Sequence, residues 1–176
     1  MGACAHAMER DMARKCFFSF HYKPDCVRAA RVRNIGAIEG NPPAKDNDWE
    51  KVVGGGDKEI ANWIRDQMEG KTCLVLLVGE NTAKRKWIEH EIVKAWNDGL
   101  GVVAIRIHGL VDFDGDTALS GDNPLDFIKL GSAKKLSDVA QCYNPSGADS
   151  AARYNYIARH IGDWVEEAIT IRKNHK

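Results

Sequence analysis

Cys73-Leu74-Val75-Leu76-Leu77-Val78 decides the fold. Six apolar residues in a row leave no face for water, so the segment reads as a central strand covered on both sides. Gly79 closes it. A helix is expected over residues 83–98, with Ile88, Ile92, Ala95 and Trp96 on its inward face and Gly99 and Gly101 ending it. Residues 102–107 form the next apolar strand. Upstream, Asp57 is a good N-cap for a helix carrying Ile60, Ala61, Ile64 and Met68 at helical spacing, and Gly70 stops it.

The pattern continues toward both ends. Residues 16–20, aromatic and without alternation, read as a buried first strand, and Pro24 and Asp25 open a short helix to about Arg33. Residues 34–56 are polar and rich in Gly, Pro, Asn and Asp, with 35–38 the candidate second strand. A loop of that length in a compact domain is commonly functional. Beyond Ile107 come an acidic turn at Asp112, Asp114 and Asp116, a short helix over 124–128 and an edge strand over 136–142. A last helix from Ser150 stripes Tyr154, Ile157, Ile161, Trp164, Val165 and Ala168 along one side. Arg172 and Lys173 sit favourably at its negative end.

Strands without alternation, separated by helices, mean parallel strands between two helical layers. The expected class is α/β, a flavodoxin-like three-layer sandwich with about five mainly parallel strands. Residues 1–11 show no periodicity and precede a second plausible start, Met12; they are expected to be a disordered leader, with 12–176 a single domain. In such sheets ligands bind outside the carboxyl ends of the strands at a switch point. That gathers residues 19–23, residues 79–82 and the loop after Ile107 around one crevice.

Composition narrows the possibilities. Lys+Arg and Asp+Glu both number 25 in the 176 residues, so net charge favours neither nucleic acid nor an anionic membrane. The longest apolar runs fall far short of the ~20 residues that span a bilayer. No signal sequence or myristoylation pattern is present. Five cysteines, odd in number, with Cys16 and Cys73 inside strands, fit small core residues in a reducing compartment, and no cluster has zinc-ligand spacing. A cytoplasmic protein without membrane or nucleic-acid partners is expected.

Two motifs lie on the crevice. Trp87 and Glu91, at i and i+4, share a helix face and are expected to look out together. Glu89 falls roughly opposite and reads as solvated, and Glu80, at the end of the 73–78 strand, is the rival carboxylate. Alone, a glutamate flanked by Lys86 and Lys94 is usually solvated surface. Upstream stands Phe17-Phe18-Ser19-Phe20-His21-Tyr22, followed by Asp25. Together, in this order, they resemble the first box of TIR domains and the Trp-x-x-x-Glu-[Ile/Leu] motif of their third helix. The similarity is close to TIR-like proteins of bacterial antiphage defence, the Thoeris type, and runs from about residue 12 to 130.

The resemblance implies cleavage of NAD⁺ at its nicotinamide–ribose bond. It assigns catalysis to Glu91, substrate contacts to Ser19, Phe20, His21 and Tyr22, and a supporting wall to Trp87. NAD⁺ would be the substrate, with no resident cofactor and no metal. The product, an ADP-ribose derivative such as a cyclic isomer, would act on a separate effector protein, and self-association is expected. The chemistry is consistent: breaking the bond builds positive charge on the ribose, which a carboxylate stabilises. Tyr22 can stack on a base, and a protonated His21 can bind phosphate.

Other features carry less. Gly54-Gly55-Gly56 matches no phosphate-binding fingerprint and reads as linker. The acidic run at 112–116 lacks the glycine and glutamate of a calcium loop. Trp63, Trp96 and Trp164 read as core, Trp49 as an exception. Two departures from the family pattern stand out: the loop normally containing Arg-Asp-x-x-Pro-Gly is replaced by 34–56, and Arg85 stands where serine is common. A non-catalytic TIR-type scaffold is the alternative. A phosphoacceptor receiver domain needs acidic residues at the ends of the first and third strands, where Ser19-Phe20-His21 and Val78-Gly79-Glu80 stand instead.

Overall fold

Five parallel strands form one sheet in the computed structural model, which describes residues 14–40 and 52–175. They are β1 (Lys15–Phe20), β2 (Glu39–Gly40), β3 (Cys73–Val78), β4 (Gly101–Arg106) and β7 (Cys142–Tyr143), in the order β2-β1-β3-β4-β7. β5 (Lys129–Leu130) and β6 (Lys134–Lys135) make a small antiparallel hairpin outside it. The helices are α1 (Tyr22–Arg33), α2 (Asp57–Met68), α3 (Lys86–Asn97) and α4 (Ser150–Asn174). This is the expected flavodoxin-like sandwich.

Alternation along the strands divides the core. Cys16, Phe18, Cys73, Val75 and Leu77 pack with α1 and α4. Phe17, Leu74, Leu76 and Val78 pack with α2 and α3. All six side chains of β3 are buried, as its continuous apolar run demands. Cys16 stands beside Cys73 across the β1–β3 ladder, and both are free thiols. At Gly101 the backbone of α4 comes so close that a Cβ would lie 2.7 Å from the Ile169 amide nitrogen.

Several elements fall elsewhere than expected. The second strand is Glu39–Gly40, not 35–38, because Gly36 adopts φ 79° and Ile35 turns back to bond the Val32 carbonyl. The edge strand is Cys142–Tyr143; residues 136–138 form a 3-10 turn, and the buried Leu136 in it and Ala140 after it imitate a strand's apolar content. α1 begins at Tyr22, so Tyr22 is helical and Pro24 lies inside the first turn, where its missing N–H costs nothing. α2 starts after Gly56 at φ 81°, with Asp57 as its first residue and no side-chain cap. α3 starts at Lys86, since Lys84 takes a left-handed φ of 62°. Trp49 and residues 1–11 lie outside the described residues. No helix among the described residues is long and apolar enough to cross a membrane.

Candidate active site

Period-two alternation decides where Ser19 points. Phe17 faces α2 and α3 and Phe18 the opposite layer, so Ser19 turns toward α3. It is buried, one of few polar side chains in the sheet, and its hydroxyl donates to Oε2 of Glu91. Glu91 is itself buried, at 9% exposure. Burial pushes its carboxyl up to about 8, against the opposing pull of the Ser19 hydroxyl. Near neutral pH the resting carboxyl therefore mostly holds its proton.

The pair opens onto a crevice of about 1380 Å³ at the carboxyl ends of β1 and β3, the switch point of the sheet. The expected residues Ser19, Phe20, His21, Tyr22, Trp87 and Glu91 all line it. The rings of Phe20 and Tyr22 stand 6.2 Å apart, tilted by 31°. Trp87 meets His90 edge-on at 5.5 Å, with the Lys86 ammonium 4.9 Å over its ring. Lys23, Lys84 and Arg85 add positive charge along the walls. Lys84 is drawn to Asp122 at 3.1 Å.

The loop between β3 and α3 is held firmly. The Gly79 amide donates to the buried Thr82 hydroxyl at 2.9 Å, and the Arg85 Nε donates to the Asn81 carbonyl at 2.9 Å. Behind it Asp25, fully buried, packs its carboxylate onto Gly79, where a Cβ would come within 2.1 Å of Oδ2. Arg28 lies beside Asp25 and also donates to the Leu110 carbonyl (2.8 Å), Asp112 (3.1 Å) and the Asp116 carbonyl (2.8 Å). The first-box aspartate thus ties α1 to β3, and through Arg28 to the loop after β4. The run at 112–116 is a turn, with the Asp112 carboxylate accepting from the Asp114 and Asp116 amides.

The geometry alters several expectations. Glu91 shares a face with Trp87 but does not look out into solvent; β1 covers it, and it meets Ser19. His21 is a weaker phosphate ligand than expected, because desolvation and the nearby Arg85 both lower its pKa and disfavour the cation. Its Nδ1 is buried without a partner. Glu80 is exposed at the crevice edge, accepting from the Leu119 amide at 3.4 Å. Glu89 is half-buried in a separate groove between α2 and α3. Trp63, read as core, does pack against the core from its margin, half-buried, and it lines the crevice too, as do Arg33 and residues 119–122. Trp63 follows Asn62 and precedes the buried Ile64 at the margin of the α2 stripe, a position open to either reading. Among the described residues, no group of three or more His, Cys, Asp or Glu side chains is arranged to hold a metal ion.

A buried carboxyl, a hydroxyl that steadies it, flat aromatic walls and a cationic rim suit a ligand with planar rings, anionic groups and a centre where positive charge develops. The sequence model of the family described as "Thoeris protein ThsB, TIR-like domain" matches residues 17–112, from β1 through the loop after β4. A protein of Bacillus cereus (strain MSX-D12) named "Putative cyclic ADP-D-ribose synthase ThsB1" is 29% identical over 123 residues. That match covers 66% of this chain and 64% of the relative's length.

Proposed function

The chain belongs to the Thoeris ThsB family of TIR-like domains, and from that premise we propose that it cleaves NAD⁺ at the nicotinamide–ribose bond, with Glu91 as the catalytic carboxyl. The observation that carries this reading is the buried Ser19–Glu91 pair at the switch-point crevice. In the reaction the C1′–N bond breaks, its electron pair leaves with nicotinamide, and positive charge spreads over the ribose. Glu91 in its carboxylate form stabilises that charge. Nicotinamide departs neutral, so no strong general acid is needed.

The protonated resting state of Glu91 fits this chemistry. The pyridinium ring of NAD⁺ brings a positive charge beside the carboxyl and favours its ionised form. The proton is released to solvent as substrate binds, and the Ser19 hydroxyl keeps donating to Glu91, now a carboxylate. Phe20, Tyr22 and Trp87 supply faces for the planar rings, and Lys23 and Arg85 supply charge for the pyrophosphate. The ADP-ribosyl group passes to an acceptor within itself, giving a cyclic isomer of the kind named for the Bacillus relative, and this product acts on a separate effector protein.

The test is nicotinamide release followed by chromatography, wild type beside Glu91→Gln. Loss of about 100-fold or more in turnover is expected when the charge-stabilising group goes. Equal turnover by both would remove Glu91 from its role. Assembly that survives Glu91→Ala, with no nicotinamide from either protein, would favour a scaffold instead.

A further inference from the structure

Leu119 is 73% exposed, yet the segment that carries it is fastened at nearly every residue. The Ala118 amide donates to the His108 carbonyl at 2.9 Å, and the Leu119 amide to Glu80. Arg106, the last residue of β4, donates through Nη1 to the Ser120 hydroxyl at 3.0 Å and to the Gly121 carbonyl. Gly121 lies so close against the end of β3 that a Cβ would sit 2.4 Å from the carbonyl oxygens of Gly79 and Glu80. Asp122 is paired with Lys84.

A free loop with a leucine at its tip would fold that side chain onto nearby apolar surface. Here the backbone is fixed across the carboxyl ends of β3 and β4, and the leucine is held at the crevice wall. Among the described residues, Tyr22 and Leu119 are the only exposed large apolar side chains that line this crevice; Phe113, at 89%, stands away from it on the acidic turn. A rigidly presented apolar group at the mouth of a binding cavity keeps its transfer free energy in reserve for the ligand, with little ordering cost on binding. The segment also lies outside residues 17–112, the span that the family model matches.

We propose that residues 119–122 form a base-binding wall of the substrate crevice, with Leu119 as the apolar contact for one heterocyclic ring of a dinucleotide. The dinucleotide's identity rests on the reading given above; the wall itself rests on the clamped loop. Either base offers the same flat apolar face, and the two halves of the substrate separate them.

Binding of NAD⁺, AMP and nicotinamide mononucleotide is measured by calorimetry for wild type, Leu119→Ala and Phe113→Ala, alongside nicotinamide release. Leu119→Ala is expected to weaken NAD⁺ binding roughly tenfold. The same loss should appear with one of the half-molecules, and that half identifies the base. KM should rise with kcat nearly unchanged, and Phe113→Ala should match wild type. Unchanged NAD⁺ affinity in Leu119→Ala, or equal weakening in Phe113→Ala, overturns the wall. Wild type that binds NAD⁺ without releasing nicotinamide overturns the catalytic reading and leaves the affinity comparison to decide the wall. Wild type that does not bind NAD⁺ or either half overturns both.

Discussion

Replacing Glu91 by glutamine should make the protein more stable in alkali, and the size of the effect follows from burial. Folding raises the Glu91 carboxyl from 4.5 to about 8. Between those values the folded chain holds a proton that the unfolded chain has released. The folded state then binds more protons, so stability falls as pH rises. At 1.36 kcal/mol per unit, a shift of about 3.5 units corresponds to a ceiling of about 5 kcal/mol. Water entering the crevice as the carboxyl charges will lower the realised figure to a few kcal/mol.

Glutamine keeps the shape and can still accept from Ser19, but it has no proton to lose. Urea unfolding of wild type and Glu91→Gln at pH 5.5, 7 and 8.5 reads the difference directly. Near pH 5 the two should be close. The glutamine protein should gain by up to roughly 1.4 kcal/mol per unit through the window and level off above about pH 8. For a chain of this size that gain amounts to several degrees in Tm. A difference that stays flat from pH 5.5 to 8.5, or that grows in favour of wild type, would refute the buried, proton-holding carboxyl and with it the proton release assigned to substrate binding.

Two further outcomes follow from the fold. Arg28→Met leaves the fully buried Asp25 without its cation and unties the loop after β4, so a loss of about 3–5 kcal/mol is expected in urea unfolding. Adding Asp25→Asn should recover part of it, because no unpaired charge then remains buried. Gly101→Ala pushes a methyl group into the α4 backbone and should cost about 1–3 kcal/mol, with a lowered midpoint and an unchanged denaturant slope.

The main strands were legible because burial on both faces leaves a plain mark. Cys73–Val78 has no polar residue, and its neighbours β1 and β4 are nearly as apolar. β2 and β7 left no such mark. Each is two residues long, held by a ladder of backbone bonds, and a ladder does not depend on side-chain type. The apolar residues nearby, Ile38 before β2 and Leu136 and Ala140 before β7, are buried from turns, so the strands were expected one turn too early. Leu119 is illegible for the same reason: amides, carbonyls and a close glycine contact fix its loop, and none of these shows in a string of side chains.

The Ser19–Glu91 pair is a harder case, and part of it was available. The residues are 72 positions apart, and no spacing rule joins a strand to a helix at that distance. The resemblance to TIR domains brought them together. Yet α3 held its own signal. Glu91 lies three residues after Ile88 and four before Ala95, both buried, so helical geometry places it on the margin of the inward stripe, between that stripe and Trp87. The flanking lysines suggested solvent, but Lys86 and Lys94 project from other angles of the helix. α1 carries the same mark: Asp25 and Arg28 share a stripe with Ala29 and Val32, and both charged residues are buried. A charged residue inside an apolar stripe must find a partner or change its protonation. Asp25 has Arg28 beside it, which opposes but does not cancel the upward push of burial on its carboxyl. Glu91, offered only a hydroxyl, is pushed up to about 8, and the ionisation on substrate binding proposed above rests on that difference.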